Sequence, residues 1–103
     1  MSELVKLVVE WGEKRDLIKP ENSNRQMLKV FEEIGELASG LARNNRTDII
    51  DAIGDSFVTL IILSAQMDLD VELCLNSAYN EISNRKGKTV NGVFLKNEDY
   101  EKR

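Results

Sequence analysis

Phe57-Val58-Thr59-Leu60-Ile61-Ile62-Leu63, in the segment expected to form the third helix, leaves almost no polar face when wound at about 100° per residue. A helix apolar nearly all round is either central to its domain or set at a contact between subunits. Its polar exceptions, Asp48, Asp51, Asp55 and Thr59, fall in one narrow stripe. A buried carboxylate without a partner costs several kcal/mol and tends to take up a proton, so acids clustered on such a helix call for a cation. The same acids would also suit a helix start that emerges into solvent, where they face the positive end of the dipole.

Upstream, Met27, Val30, Phe31, Ile34, Leu37, Ala38 and Leu41 follow the i, i+3, i+4, i+7 spacing of an amphipathic helix from about Asn22 to Arg43, closed by Asn44-Asn45. Lys29, Glu33, Glu36, Gly40 and Arg43 form its polar stripe, which would also suit a solvated face. Residues three or four apart share one helix face, so Glu33 and Glu36 present one carboxylate pair and Asp51 and Asp55 another. A short turn joins the two segments, and antiparallel packing brings the pairs to comparable height. Glu32, one turn before Glu36, sits on the outer edge of the acid set and reads as a supporting or solvent residue. Gly35 and Gly54 each precede an acid, and each costs about 1 kcal/mol relative to Ala within a helix; close backbone packing is the expected reason for tolerating them.

Leu4, Val5, Val8 and Trp11 indicate a first helix over roughly 2–17, ended by Ile18-Lys19-Pro20. Thr47 or Asn45 can cap the third helix, which runs to about Met67. Asp70 can cap a fourth, from Val71 to about Lys86, with Gly87 as its stop. The expected fold is all-α, a four-helix bundle in a single domain over 1–103, followed by a short irregular C-terminal tail. Val90-Asn91-Gly92-Val93 within that tail is a turn signal that suits a small hairpin or an irregular arm. The six apolar residues of Phe57–Leu63 point in nearly every direction, so some should face outside a monomer, and a homodimer or homotetramer is expected.

With no histidine and one cysteine, oxygen donors dominate, which suits magnesium or manganese rather than zinc or copper. Cys74 cannot form an intramolecular disulfide and is expected in the core. Fourteen basic against 18 acidic residues give a net charge of −4, with 6% aromatic residues, which argues against a general nucleic-acid surface. The start is not a secretory signal and no apolar run is long enough for a bilayer, so a soluble cytoplasmic protein without a membrane partner is expected. Arg85, Lys86 and Lys88 form a dense basic cluster, suited to a phosphate or simply to the C-terminal end of the fourth helix.

Glu32-Glu33-Ile34-Gly35-Glu36-Leu37-Ala38 followed by Asp51-Ala52-Ile53-Gly54-Asp55 resembles the signature of the MazG-like, all-α nucleoside triphosphate pyrophosphohydrolases. The resemblance extends to Trp11, Lys29 and the segment Asn80–Lys88, and so spans nearly the whole chain. It implies magnesium-dependent hydrolysis of a nucleoside triphosphate to the monophosphate and pyrophosphate, with Glu33, Glu36 and Asp55 as metal ligands. The family's third acid would fall at Ala52, and Asp51, a full turn before Asp55, is the substitute on the same side of the helix. Glu32 completes the catalytic acids. Lys29, Asn80, Arg85, Lys86 and Lys88 become substrate contacts by the same resemblance, and Trp11 is either a base-stacking residue or part of the core. Two other readings stand beside this one: a phosphoribosyl-ATP pyrophosphohydrolase of the same superfamily, and a non-catalytic helical interaction module whose metal site decayed at Ala52. Lys88 and Asn91-Gly92 favour the MazG-like group over the former.

Overall fold

The computed structural model describes residues 2–97, which are mostly helical. Helix α1 spans Glu3–Lys14, α2 Ser23–Ala42, α3 Arg46–Gln66 and α4 Val71–Ser83; a 3-10 turn at Pro20–Asn22 precedes α2, and strands β1 (Gly87–Val90) and β2 (Val93–Lys96) follow α4. The chain divides after Leu73 into two compact units.

In the first unit α2 and α3 form the principal packing, an antiparallel hairpin, and α1 packs on α3. Asn45 supplies the turn's cap: its side chain accepts a hydrogen bond from the Asp48 N–H at 3.1 Å, one of the helix-start donors that has no partner within the helix. The buried apolar side chains among the described residues are Val30, Ala52, Ile61 and Ile62. Thr59 and Ser56 are buried too, and each hydroxyl donates to a carbonyl of its own helix, Ser56 and Ala52 respectively. Gln26 Nε2 reaches the Thr59 carbonyl at 3.1 Å and Gln66 Nε2 the Leu17 carbonyl at 2.9 Å, so both amides tie separate elements together.

The ends of α1, α2 and α3 share one solution. Asp16, Asn44 and Asp68 each take a left-handed φ, at 62°, 51° and 57°. At each end two N–H groups fold back on the last turn: Leu17 to Gly12 and Asp16 to Glu13, Asn45 to Gly40 and Asn44 to Leu41, Leu69 to Ser64 and Asp68 to Ala65. This is the Schellman closure, made with Asp and Asn where glycine is commonest.

Of the two forms that the turn signal left open for the tail, residues 87–96 take the antiparallel hairpin, with Gly87 opposite Lys96 and Val90 opposite Val93. Its turn places both Asn91 (φ 52°) and Gly92 (φ 79°) in the left-handed region, as a tight two-residue hairpin requires; residues 98–103 lie outside the described residues. Gly87 therefore does not stop α4, which ends at Ser83. It opens β1, where a Cβ would strike the Leu95 carbonyl. Gly35 and Gly54 have nothing within 4 Å of where a Cβ would stand, so close packing does not explain them; a Cβ at Gly12 would stand 2.7 Å from Ile62 Cδ1, so this is the glycine that lets α1 approach α3. Cys74 is exposed rather than core, and α4 buries no residue.

Candidate metal and phosphate site

The turn between α2 and α3 sets Glu36, Ser39 and Arg43 against Asp48, Asp51, Ala52 and Asp55 around a cavity of about 320 Å³. Arg43 spans the hairpin, its guanidinium 2.8 Å from Asp48 Oδ2 with Nε 3.3 Å from Ser39 Oγ. It brings a positive charge to a lining otherwise rich in carboxylates. Ala52, at the position where the signature calls for an acid, lines this cavity although its residue is almost wholly buried.

Glu33 stands beside Glu36 and Asp55. Burial raises its carboxyl above the ordinary carboxylate range, and the neighbouring charges of Glu36 and Asp55, a hydrogen bond with Glu36 and the charge of Glu32 add to the effect. Its Oε2 is buried with no hydrogen-bond partner. An orphaned carboxylate oxygen amid other carboxylates is the condition a divalent cation relieves, and donors that are all oxygen fit a hard ion. Glu33, Glu36, Asp51 and Asp55 are the residues that would hold it. Among the described residues no three such side chains converge as a coordination shell as they stand.

The remaining residues singled out by sequence fall as follows. Lys29 pairs with Glu32 at 3.1 Å, both exposed. Trp11 is 46% exposed, so it is not core; the Arg15 guanidinium lies 4.3 Å from its ring centroid and covers one face. Asp51 and Asp55 also border an apolar cleft of about 600 Å³ between α1 and α3, lined by Leu4, Val8, Phe57 and Val58 among others. In the second unit Asn80 is exposed, its carbonyl accepting from Ser83 Oγ and Asn84 Nδ2. Arg85 pairs with Glu81 at 3.3 Å, and Arg85 and Lys86 join Asn84, Lys96 and Asn97 around a cleft of about 430 Å³. Lys88 lies on β1 opposite Leu95, outside that lining.

Sequence reasoning did not assign Ser39, Arg43 and Asp48 to the site. Arg43 and Asp48 were visible on the two polar stripes, but only the turn geometry turns them towards each other.

No family model matches the chain, and no solved structure matches it. The chain is 40% identical over 70 residues to an uncharacterised 18.2 kDa protein in the rep-hol intergenic region of Haemophilus phage HP1 (strain HP1c1), a match covering 68% of this chain and 43% of the phage protein. The chain thus matches less than half the length of that relative. Among the described residues no helix is long and apolar enough to cross a membrane.

Proposed function

We propose that the chain is a metal-dependent nucleoside triphosphate pyrophosphohydrolase, releasing pyrophosphate from a nucleotide held at the α2–α3 acid cluster of a helical-bundle homo-oligomer. The observation that carries this reading is the buried, unpartnered Oε2 of Glu33 beside Glu36 and Asp55, next to a cavity that Asp51 and Arg43 also line. Magnesium or manganese, when bound, supplies Lewis-acid chemistry: it neutralises phosphate oxygens and lowers the pKa of a coordinated water. The chain's own residues do the rest. Arg43, held in place by Ser39 and Asp48, offers guanidinium donors to an oxyanion at the cavity. Asp51, one residue before the missing acid and a full turn before Asp55, lines the same cavity and would take the place of that acid. The apolar cleft that shares Asp51 and Asp55 suits a flat, weakly polar group such as a nucleobase. The second unit's basic cleft has the charge to bind a phosphate-bearing ligand.

Ala52 favours a second reading, a non-catalytic helical module with a decayed metal site. Pyrophosphate release from a panel of ribo- and deoxynucleoside triphosphates, with magnesium and with chelator, separates the two. Glu36→Gln and Asp55→Asn should each lower turnover by at least about a hundredfold while leaving far-UV helicity intact, because a ligand is lost without core volume. Undiminished turnover in both variants rules out the site. Absence of turnover together with absence of magnesium binding by calorimetry favours the non-catalytic module.

A further inference from the structure

Among the described residues, Arg43 is the one cation lining the acid-rich cavity of the α2–α3 hairpin. Its place along that cavity is defined. On α3 the acids Asp55, Asp51 and Asp48 stand four and three residues apart, so at about 1.5 Å per residue they climb roughly 10 Å towards the hairpin turn. Glu33 and Glu36 stand at the Asp55 end. Arg43, 2.8 Å from Asp48, stands at the turn end. The cavity therefore runs from a negative end to one that carries a guanidinium, with Asp51 and the uncharged Ala52 between them.

The turn is built to hold Arg43 there. Gly40 is buried, and a Cβ on it would stand 3.3 Å from the Ile49 nitrogen and 3.4 Å from Asp48 Cβ, so the bare glycine lets the start of α3 close on the end of α2. The Asn45 side chain accepts from the Asp48 N–H at 3.1 Å and so fixes the acid that anchors Arg43. Ser39 Oγ, one turn back on α2, accepts from Arg43 Nε at 3.3 Å. These bonds engage two of the five N–H donors of a guanidinium, and the remainder of the planar fork suits a phosphate. Helix dipoles account for a cation ending α2 and an acid opening α3, but not for their meeting over a cavity. Both side chains are about half exposed, so water screens their attraction and a phosphate can compete with Asp48 for the guanidinium.

We infer that Arg43 counts phosphates: it takes the terminal phosphate of a ligand whose inner phosphates lie at the Glu33–Glu36–Asp55 end, so that the site selects triphosphates over diphosphates, with Asp48 and Ser39 as its positioning residues. A single phosphate is too short to meet both ends of the cavity, whereas a chain of them spans it. The inference rests on the pyrophosphohydrolase reading above and names what the substrate must carry. It also suits that chemistry, since the two outer phosphates leave together as pyrophosphate and the charge developing on them falls beside a fixed guanidinium.

Calorimetric titration of the full chain with inorganic tripolyphosphate and with pyrophosphate, each at saturating magnesium, tests this without a choice of base. Tripolyphosphate should bind at least about tenfold more tightly, and Arg43→Gln should narrow the gap to within about twofold while magnesium affinity and far-UV helicity are retained. Asp48→Asn, which keeps Arg43 but weakens its anchor, should narrow the gap as well, although the lost negative charge tightens both ligands. Equal binding of the two ligands by a wild-type chain that binds magnesium overturns this inference alone. So does a gap that Arg43→Gln leaves intact, because it is then set elsewhere. Should Arg43→Gln unfold, Arg43→Lys decides: a point charge without the fork should give an intermediate gap, and an unchanged one overturns the inference. A chain that binds neither magnesium nor either ligand overturns the metal reading and this inference with it.

Discussion

Glu33 is where the candidate site is energetically costly to the free protein. In the unfolded chain its carboxyl titrates near the ordinary value of 4.5, and in the fold burial and its acidic neighbours hold it higher. As pH rises from below both values, the unfolded state loses its proton first, so folding stability falls through that window and stays reduced above it. With chelator present, Glu33→Gln should therefore melt higher than wild type at neutral pH, and the advantage should vanish near about pH 3.5, where both states are protonated. Equal melting of the two proteins at neutral pH would mean that the Glu33 carboxylate is not under strain. The acid pairs were legible from sequence because one-turn spacing fixes which side chains share a face. The burial of Ala52 was not, since one alanine in an apolar helix carries no sign of which neighbour it meets. Nor was the Lys29 partner, because Glu32 and Glu33 are both within reach of a flexible lysine.

Among the elements, the helix ends invite a direct test. Asp68 occupies a left-handed position after α3 and also sets a carboxylate at the negative end of the helix dipole. Asp68→Gly should relieve both penalties and stabilise the chain by about 0.5–1 kcal/mol in urea denaturation, net of the greater freedom glycine gains on unfolding. No gain, or a loss, would show that the aspartate has a compensating partner. Helix existence and order were readable because the 3.6-residue period persists over each segment. The ends were less so: α4 stops at Ser83 rather than Lys86, and the Asn91-Gly92 turn pulls the following residues into strands. The apolar stripe read along α2 divides in the fold: Val30 is buried and Leu37 half-buried, whereas Ile34 and Leu41 are exposed. Periodicity finds an apolar stripe, but it does not say whether the chain itself or another copy covers it.

At the scale of the molecule, Asp51 and Asp55 border both the acid-lined cavity of the α2–α3 hairpin and the apolar cleft between α1 and α3, so one stripe of α3 serves two concavities. The hairpin also has a kinetic consequence. Its two helices are joined by the three residues Arg43–Asn45, so the most extensive packing of the fold joins segments close in sequence, whereas α1 reaches α3 only after 31 intervening residues. Loop closure opposes the distant contact more than the near one, so α2 and α3 should meet in the folding transition state before α1 arrives. Val30→Ala, in the hairpin's core, should slow folding in stopped-flow experiments, and Val8→Ala, on α1, should chiefly hasten unfolding. The reverse pattern would place the nucleus on α1. If the order holds, the carboxylates of α2 and α3 are brought together at the first committed step of folding, so magnesium added during refolding should accelerate the forward rate as well as deepen the native well.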